Sequence, residues 1–186
     1  RVLAGTAPRG AGAEDDRLAA GLQTSVKDHA EHAYAVDSLA EALRPFVDEL
    51  VVPERPSVLT LPNVRHLASD VRGRQRDDDA TGLLELVGAV HPTAAVCGSP
   101  TATAARVIAE LEGMDRGRYA GPVGWLDARG DGEFGLALRC AQLTGADGGR
   151  QARLFAGCGI VADSDPIAEL AETQAKLAAF QAALED

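Results

Sequence analysis

The sequence predicts an α+β fold, and three observations carry that expectation. Helical and β-rich stretches come in blocks (helices, strands, helix, strands, helix), without the βαβ alternation of a doubly wound parallel sheet. Residues 121–161 hold three β-like runs separated by the turn sequences DARGDGE and TGADGG, which reads as an antiparallel meander. The last segment is Ala-rich and opens on DSDP, a good helix start.

Taken in order, RVLAGTAPRG reads as a strand running into a loop. From Glu14 to about Leu50 the pattern is helical, with Leu18, Leu22, Val26, Tyr34, Leu39, Leu43 and Phe46 at helix-like steps. Asp15 and Asp16 suit a helix N-terminus. Pro45 and VVPERP end the helical region. SVLTLPNVRHLASDVRG predicts two short strands broken near Pro62, and RQRDDDATG a charged loop. ATGLLELVGAV predicts a short buried helix, and HPTAAVCGSP a loop of small residues. Ser99 and Pro100 fit the N-cap and first position of another helix, with Val107, Ile108 and Leu111 as its buried stripe. The final helix should run from about Pro166 to Leu184.

With 186 residues and 46% hydrophobic content, the chain can bury a sizeable core in one domain. A net charge of −10 excludes a general phosphate-backbone binder, so no nucleic-acid partner is expected. It does not exclude small anions held by a local cluster. No apolar run is long enough to span a membrane, and the N-terminus lacks the apolar core of a signal peptide. Cys97, Cys140 and Cys158 are widely spaced and form no C-x-x-C pair; reduced thiols in a cytoplasmic protein are expected. Arg1 is not preceded by methionine, and the first strand reads as entered in mid-fold, so a piece of something longer is expected.

Several polar residues stand where chemistry is possible. Glu31 lies in KDHAEHAYAV between His29 and His32; a metal-facing carboxylate and a wet surface turn both fit. Glu169 and Glu172 share a helix face, and Glu172 with Lys176 makes an i, i+4 pair that stabilises a helix by roughly 0.2–0.5 kcal/mol. That pair alone is what a surface helix would carry. Glu31 and Glu172 could instead supply Mg²⁺ with carboxylate oxygens from two helices. Arg139 sits in the apolar run LALRCA; facing inward it would need a carboxylate partner, facing outward none. His66 in VRHLAS fits a ligand contact or a locally satisfied histidine equally. Gly157 and Gly159 in LFAGCGIV allow close backbone approach or a tight bend. The third glycine of a dinucleotide fingerprint is absent.

The segments AGTAPRG, KDHAEH, VRHL, HPTAAVCGSP, the long run DRGRYAGPVGW to GEFGLALRCA, and RLFAGCGIVADSDPIAELAETQAKL occur in this order. Together they resemble the C-terminal half of chorismate-using enzymes, most closely isochorismate synthases, over nearly the whole chain. Anthranilate and aminodeoxychorismate synthases differ in the HPTAAVCG loop and in the strand after YAGPVG; salicylate synthases are nearer. Ala7 and Ala30 depart from the family pattern without touching the residues named below.

The resemblance implies that residues 1–186 are the C-terminal portion of one chorismate-binding domain, a partial α/β sandwich with an antiparallel sheet and flanking helices. It implies Mg²⁺ at Glu31 and Glu172, with Glu169 adjacent. It implies substrate contacts from Gly5, Thr6, His66, Arg139, Lys176 and the backbone at Gly157, and a ring pocket shaped by Ala95, Val96 and Tyr119. The implied reaction adds water at C2 of chorismate as the C4 hydroxyl departs, giving isochorismate for menaquinone, siderophore or salicylate synthesis. Mg²⁺ on the ring carboxylate would stabilise developing charge. A lysine base and a glutamate acid do the proton work in the family. Both belong to the half that precedes AGT, so this chain is expected to hold no catalytic acid–base pair. Lys27 matches a different position. An isolated half would expose sheet edges and apolar faces, so pairing with the other half or self-association is expected. A non-catalytic chorismate-binding fragment and a salicylate synthase stay open as alternatives.

Overall fold

A computed structural model describes residues 1–76, 81–145 and 151–185. Its elements are β1 (Val2–Pro8), α1 (Ala13–Thr24), α2 (Val26–Leu43), a 3₁₀ turn (Arg44–Phe46), β2 (Val47–Val51), β3 (Ser57–Thr60), β4 (Val64–Ser69), β5 (Arg72–Gln75), α3 (Leu83–Val90), α4 (Thr101–Leu111), β6 (Pro122–Leu126), β7 (Gly132–Leu136), β8 (Cys140–Thr144), β9 (Gln151–Phe155) and α5 (Pro166–Glu185). All strand pairing is antiparallel, as an α+β fold requires.

The core forms where α1 and α2 cover the sheet β1–β4–β3. On α2, His32, Ala35, Val36 and Ala40 recur at helical spacing and are buried. Ala35 and Val36 meet Val2 and Ala4 of β1, while Leu22 of α1 meets Ala7 and Leu67. Leu67 is 1% exposed, and a side chain buried so fully contributes about 2 kcal/mol. Every residue of β4 is buried, which makes it the floor on which site residues stand.

Gly5 is what lets α2 come so close. The β1–β4 register shifts between Ala4 and Thr6, and Gly5 takes φ +78° inside that bulge. A β-carbon there would lie 3.0 Å from Asp28 Cβ at the first turn of α2.

A second anchor is electrostatic. Asp15 accepts bidentate hydrogen bonds from Arg65 of β4 at 2.5 and 2.6 Å, and further ones from Arg9 and the Gly10 amide. The acidic first turn of α1 is thereby fastened to the sheet.

Several expectations need correction. The helical stretch 14–50 is two helices, because Ser25 leaves the helix and caps α2 by accepting from the Asp28 amide at 3.1 Å. Val47–Val51 is a strand, drawn into pairing with β5, a strand the sequence reading lacked. Val26 and Tyr34 are exposed. Helix α3 packs against α2 yet has no fully buried residue, and Val107 and Leu111 of α4 are exposed, with no described element packed closely over α4. Pro100, not Ser99, is the N-cap of α4, and it has no side-chain cap bond. The expected meander is two separate hairpins, β6–β7 and β8–β9. Arg139 lies between β7 and β8 at φ +48°, not inside a strand. The turn TGADGG falls largely, and the loop RQRDDDATG in its middle, outside the described residues; Arg74 and Gln75 of that expected loop belong to β5. DSDP does start the last helix: Asp165 accepts from the Ala168 amide at 2.8 Å.

Candidate functional site

Helix α5 is inside out. Ile167 and Leu170 are 79% and 59% exposed, whereas Glu169 is 4% exposed. Lys176, two turns on from Glu169, is tucked in as well, with a side chain 13% exposed. The polar stripe faces α2, whose Lys27 and Glu31 are also i, i+4.

Lys27 makes an ion pair with Glu169. Both Glu169 oxygens are buried without a well-directed hydrogen bond. Burial alone would raise the Glu169 carboxyl, but Lys27, with Cys158 and Ser164 beside it, outweighs this and holds it below its ordinary value. Glu31 is the opposite case: burial, then the neighbouring Glu172 charge, push its carboxyl up. Lys176 donates to the Gly157 carbonyl at 3.0 Å and pairs with Glu172 at 2.7 Å. The sequence has two lysines, and both are engaged here.

His66 joins this cluster from β4. The Arg139 guanidinium donates to its Nε2 at 2.7 Å, so the ring proton sits on Nδ1, within 3.1 Å of Thr6 Oγ1 and 3.3 Å of the Gly5 carbonyl. Burial, then the Arg139 charge, lower its pKa to about 4, so it is neutral near pH 7. A cavity of about 190 Å³ opens beside Arg139 and Lys176, walled by Leu61 to Val64 and Ala175. A more open cavity of about 650 Å³ along β8 and β9 shares none of these residues.

The residues expected to shape a ring pocket form a third group. Tyr119 stacks on Phe155 with centroids 5.4 Å apart, and its hydroxyl lies 3.0 Å from where a β-carbon at Gly157 would be. Val96 belongs to a turn closed by bonds to the Thr93 carbonyl; Ala95, on the same turn, is exposed.

The structure thus joins Glu31, Glu169, Glu172, Lys176 and Gly157 in one cluster, and Gly5, Thr6, His66 and Arg139 in its neighbour. Among the described residues no three His, Cys, Asp or Glu side chains gather at metal-ligating spacing. Glu169 turns to Lys27 instead. His32 is no ligand: its Nδ1 donates to the Ala4 carbonyl at 3.1 Å and its Nε2 lies 2.8 Å from Ser69 Oγ. Sequence reasoning missed Lys27 and Cys158 as neighbours of Glu169 in this cluster. The i, i+4 spacing of Lys27 and Glu31 was the available signal for the first. Cys97, Cys140 and Cys158 are free and partly buried, as expected. No described helix is long and apolar enough to cross a membrane.

The family model for chorismate binding enzymes matches residues 1–185. The salicylate biosynthesis isochorismate synthase of Pseudomonas aeruginosa is 47% identical over 184 residues, covering 98% of this chain and 37% of that protein. The isochorismate synthase DhbC of Bacillus subtilis is 47% identical over 175 residues, covering 94% and 43%. The crystal structure of DhbC from Bacillus anthracis superposes with a TM-score of 0.89 at 43% identity, covering 99% of this chain and 48% of that one. The chain therefore spans less than half the length of each of these relatives. Agreement this continuous in sequence and in backbone settles its kinship: the chain belongs to the chorismate-binding enzyme family.

Proposed function

We propose that this chain is the C-terminal portion of a chorismate-binding domain in an isochorismate synthase. The reaction is the isomerisation of chorismate by water addition at C2 and loss of the C4 hydroxyl, feeding menaquinone, siderophore or salicylate synthesis. One observation carries the reading: α5 turns Glu169, Glu172 and Lys176 inward against Lys27 and Glu31, and leaves Ile167 and Leu170 outside.

The donor set fits a divalent cation. The Glu172 charge raises the proton affinity of Glu31 across the helix gap, a repulsion that a cation relieves. Two carboxylates completed by water and substrate oxygens suit Mg²⁺. Glu31 and Glu172 would hold it, with Glu169 alongside. When bound, Mg²⁺ would supply positive charge at the substrate's ring carboxylate.

The protein's own side chains do the rest of the binding. Arg139 and Lys176 present fixed cations to the substrate carboxylates beside the Gly157 backbone. His66, neutral, aligns Arg139 through Nε2 and is itself held by Thr6 and Gly5. Tyr119, Ala95 and Val96 shape the ring pocket. An acidic protein can bind a dianion where Arg139, Lys176 and a divalent cation converge.

The general base and general acid lie outside these 186 residues. Both lysines of the chain are tied to glutamates, which supports this division. The exposed Leu84 of α3 and Val107 and Leu111 of α4 would meet the remainder of the domain or a second copy.

Purified chain and the longer protein containing it are compared for chorismate turnover with Mg²⁺. Isochorismate is expected from the longer protein alone, with chorismate binding by both. Turnover by the 186-residue chain overturns the division of labour. Release of pyruvate identifies a salicylate synthase instead.

A further inference from the structure

Arg116 belongs to no part of the binding machinery described so far, yet it touches two of the three ring-pocket residues. It follows α4 in a tight turn in which the Tyr119 amide donates to the Arg116 carbonyl at 2.8 Å. From there the side chain reaches back across the chain. Nη1 donates to the Val96 carbonyl at 2.7 Å, twenty residues away. Nε and Nη2 grip Glu112 as a fork, at 2.8 and 2.5 Å. The guanidinium carbon lies 5.7 Å from the centroid of the Tyr119 ring.

We propose that Arg116 is a positioning residue that locks the Val96 turn and the Tyr119 ring into one rigid wall of the substrate pocket. Each contact uses a property that only arginine offers together. The fork fixes the plane of the guanidinium on Glu112. The remaining N–H fixes Val96, and the flat cationic face fixes Tyr119. Tyr119 is held on its other side by Phe155, and its hydroxyl abuts Gly157. A shift at Arg116 is therefore passed to both the ring wall and the Gly157 backbone. None of the described contacts of Arg116 involves Glu31 or Glu172, so the cation site is reached only through Tyr119, Gly157 and Lys176 and should feel a change at Arg116 far less than the ring wall does.

This inference rests on the reading that Val96 and Tyr119 border bound chorismate, and the experiment separates the two. Arg116→Met, Arg116→Lys and Tyr119→Ala are compared with the unaltered chain. Chorismate affinity in Mg²⁺ is measured by calorimetry, Mn²⁺ affinity by electron paramagnetic resonance, and amide exchange at Val96 and Cys97 by mass spectrometry. Arg116→Met is expected to weaken chorismate roughly tenfold and speed exchange at the Val96 turn, with Mn²⁺ affinity unchanged. Arg116→Lys, which keeps the charge but not the fork, should restore only part of the affinity. If Tyr119→Ala weakens chorismate but Arg116→Met does not, the inference fails and the pocket reading stands. If Tyr119→Ala binds chorismate normally, both fail. Parallel loss of Mn²⁺ in Arg116→Met means general disruption and also overturns the inference. Should Arg116→Met not fold, Glu112→Gln loosens the same fork and should show the same ordering at smaller size.

Discussion

Glu31 lies directly against the backbone of Gly159: a β-carbon on residue 159 would stand 2.3 Å from Glu31 Oε1 and 2.5 Å from its Cδ. Gly159 thus shapes one side of the carboxylate's seat. The sequence could show a G-x-G after a strand but not that its second glycine faces an acidic side chain on a helix more than a hundred residues earlier.

Gly159→Ala should displace Glu31 without unfolding the chain, because the atom in the way is the tip of a side chain. A loss of at least about tenfold in Mn²⁺ affinity is expected, with an unfolding midpoint close to that of the unaltered chain. Paramagnetic resonance titration and thermal unfolding on the same sample check both halves. Unchanged Mn²⁺ affinity would show that the position of Glu31 is immaterial to the cation.

Glu172→Gln removes one of the two facing carboxylates and strips Lys176 of its partner. Mg²⁺-dependent chorismate binding should vanish in calorimetry. The Glu31 carboxyl, relieved of its neighbour's charge, should titrate lower than before. Binding that persists unaltered would return α5 to the status of an ordinary helix with an ion pair.

His66 should remain neutral well below pH 6. Its folded pKa is about 4 against an ordinary 6.5, so the unfolded chain takes up the proton first as the pH falls. Stability should therefore decline as the pH drops from about 6.5 toward 4, and be insensitive to this group above that window. A ring-proton titration by nuclear magnetic resonance gives the midpoint directly. Arg139→Gln should raise it, since the Arg139 charge is second only to burial among its causes.

Asp15→Ala would leave Arg65, buried on β4, without its carboxylate. Breaking a buried pair from one side is far more damaging than breaking an exposed one. The unfolding midpoint should fall well beyond that of Arg17→Ala, whose partner Glu14 is exposed. Hydrogen bonds from Arg65 and Arg9 hold the Asp15 carboxyl far below its ordinary 3.8. Its contribution is present above that value and is lost as the pH falls further. Denaturation curves at pH 7 and pH 3 should show a smaller gap between variant and parent at the lower pH.

The boundaries of α5 and its DSDP start were legible because capping is local chemistry. Val47–Val51 was not, since VDELV satisfies a helical or an extended pattern and its pairing with Arg72–Gln75 decides. The expected buried helix α3 and the expected stripe of α4 are apolar, but full burial needs a covering layer: α2 covers α3 only in part, and no described element packs closely over α4. The charged stripe of α5 posed the hardest case. Glu172 and Lys176 at i, i+4 are what an exposed helix carries, and only the outward Ile167 and Leu170 reveal the inversion. The apolar run LALRCA suggests a strand through Arg139, whereas its left-handed backbone between β7 and β8 is what aims it at His66. The family resemblance supplied the candidate residues; their mutual contacts came from the fold.

The engagement of both lysines gives the chain an unusual chemical economy. Reagents that acylate or alkylate lysine amines ordinarily decorate a protein's whole surface. Here every such amine stands between α2 and α5, shielded by a glutamate. Lysine-directed labelling thereby becomes a footprint of one site, and the rate of modification at Lys27 and Lys176 reports how tightly the two helices are closed.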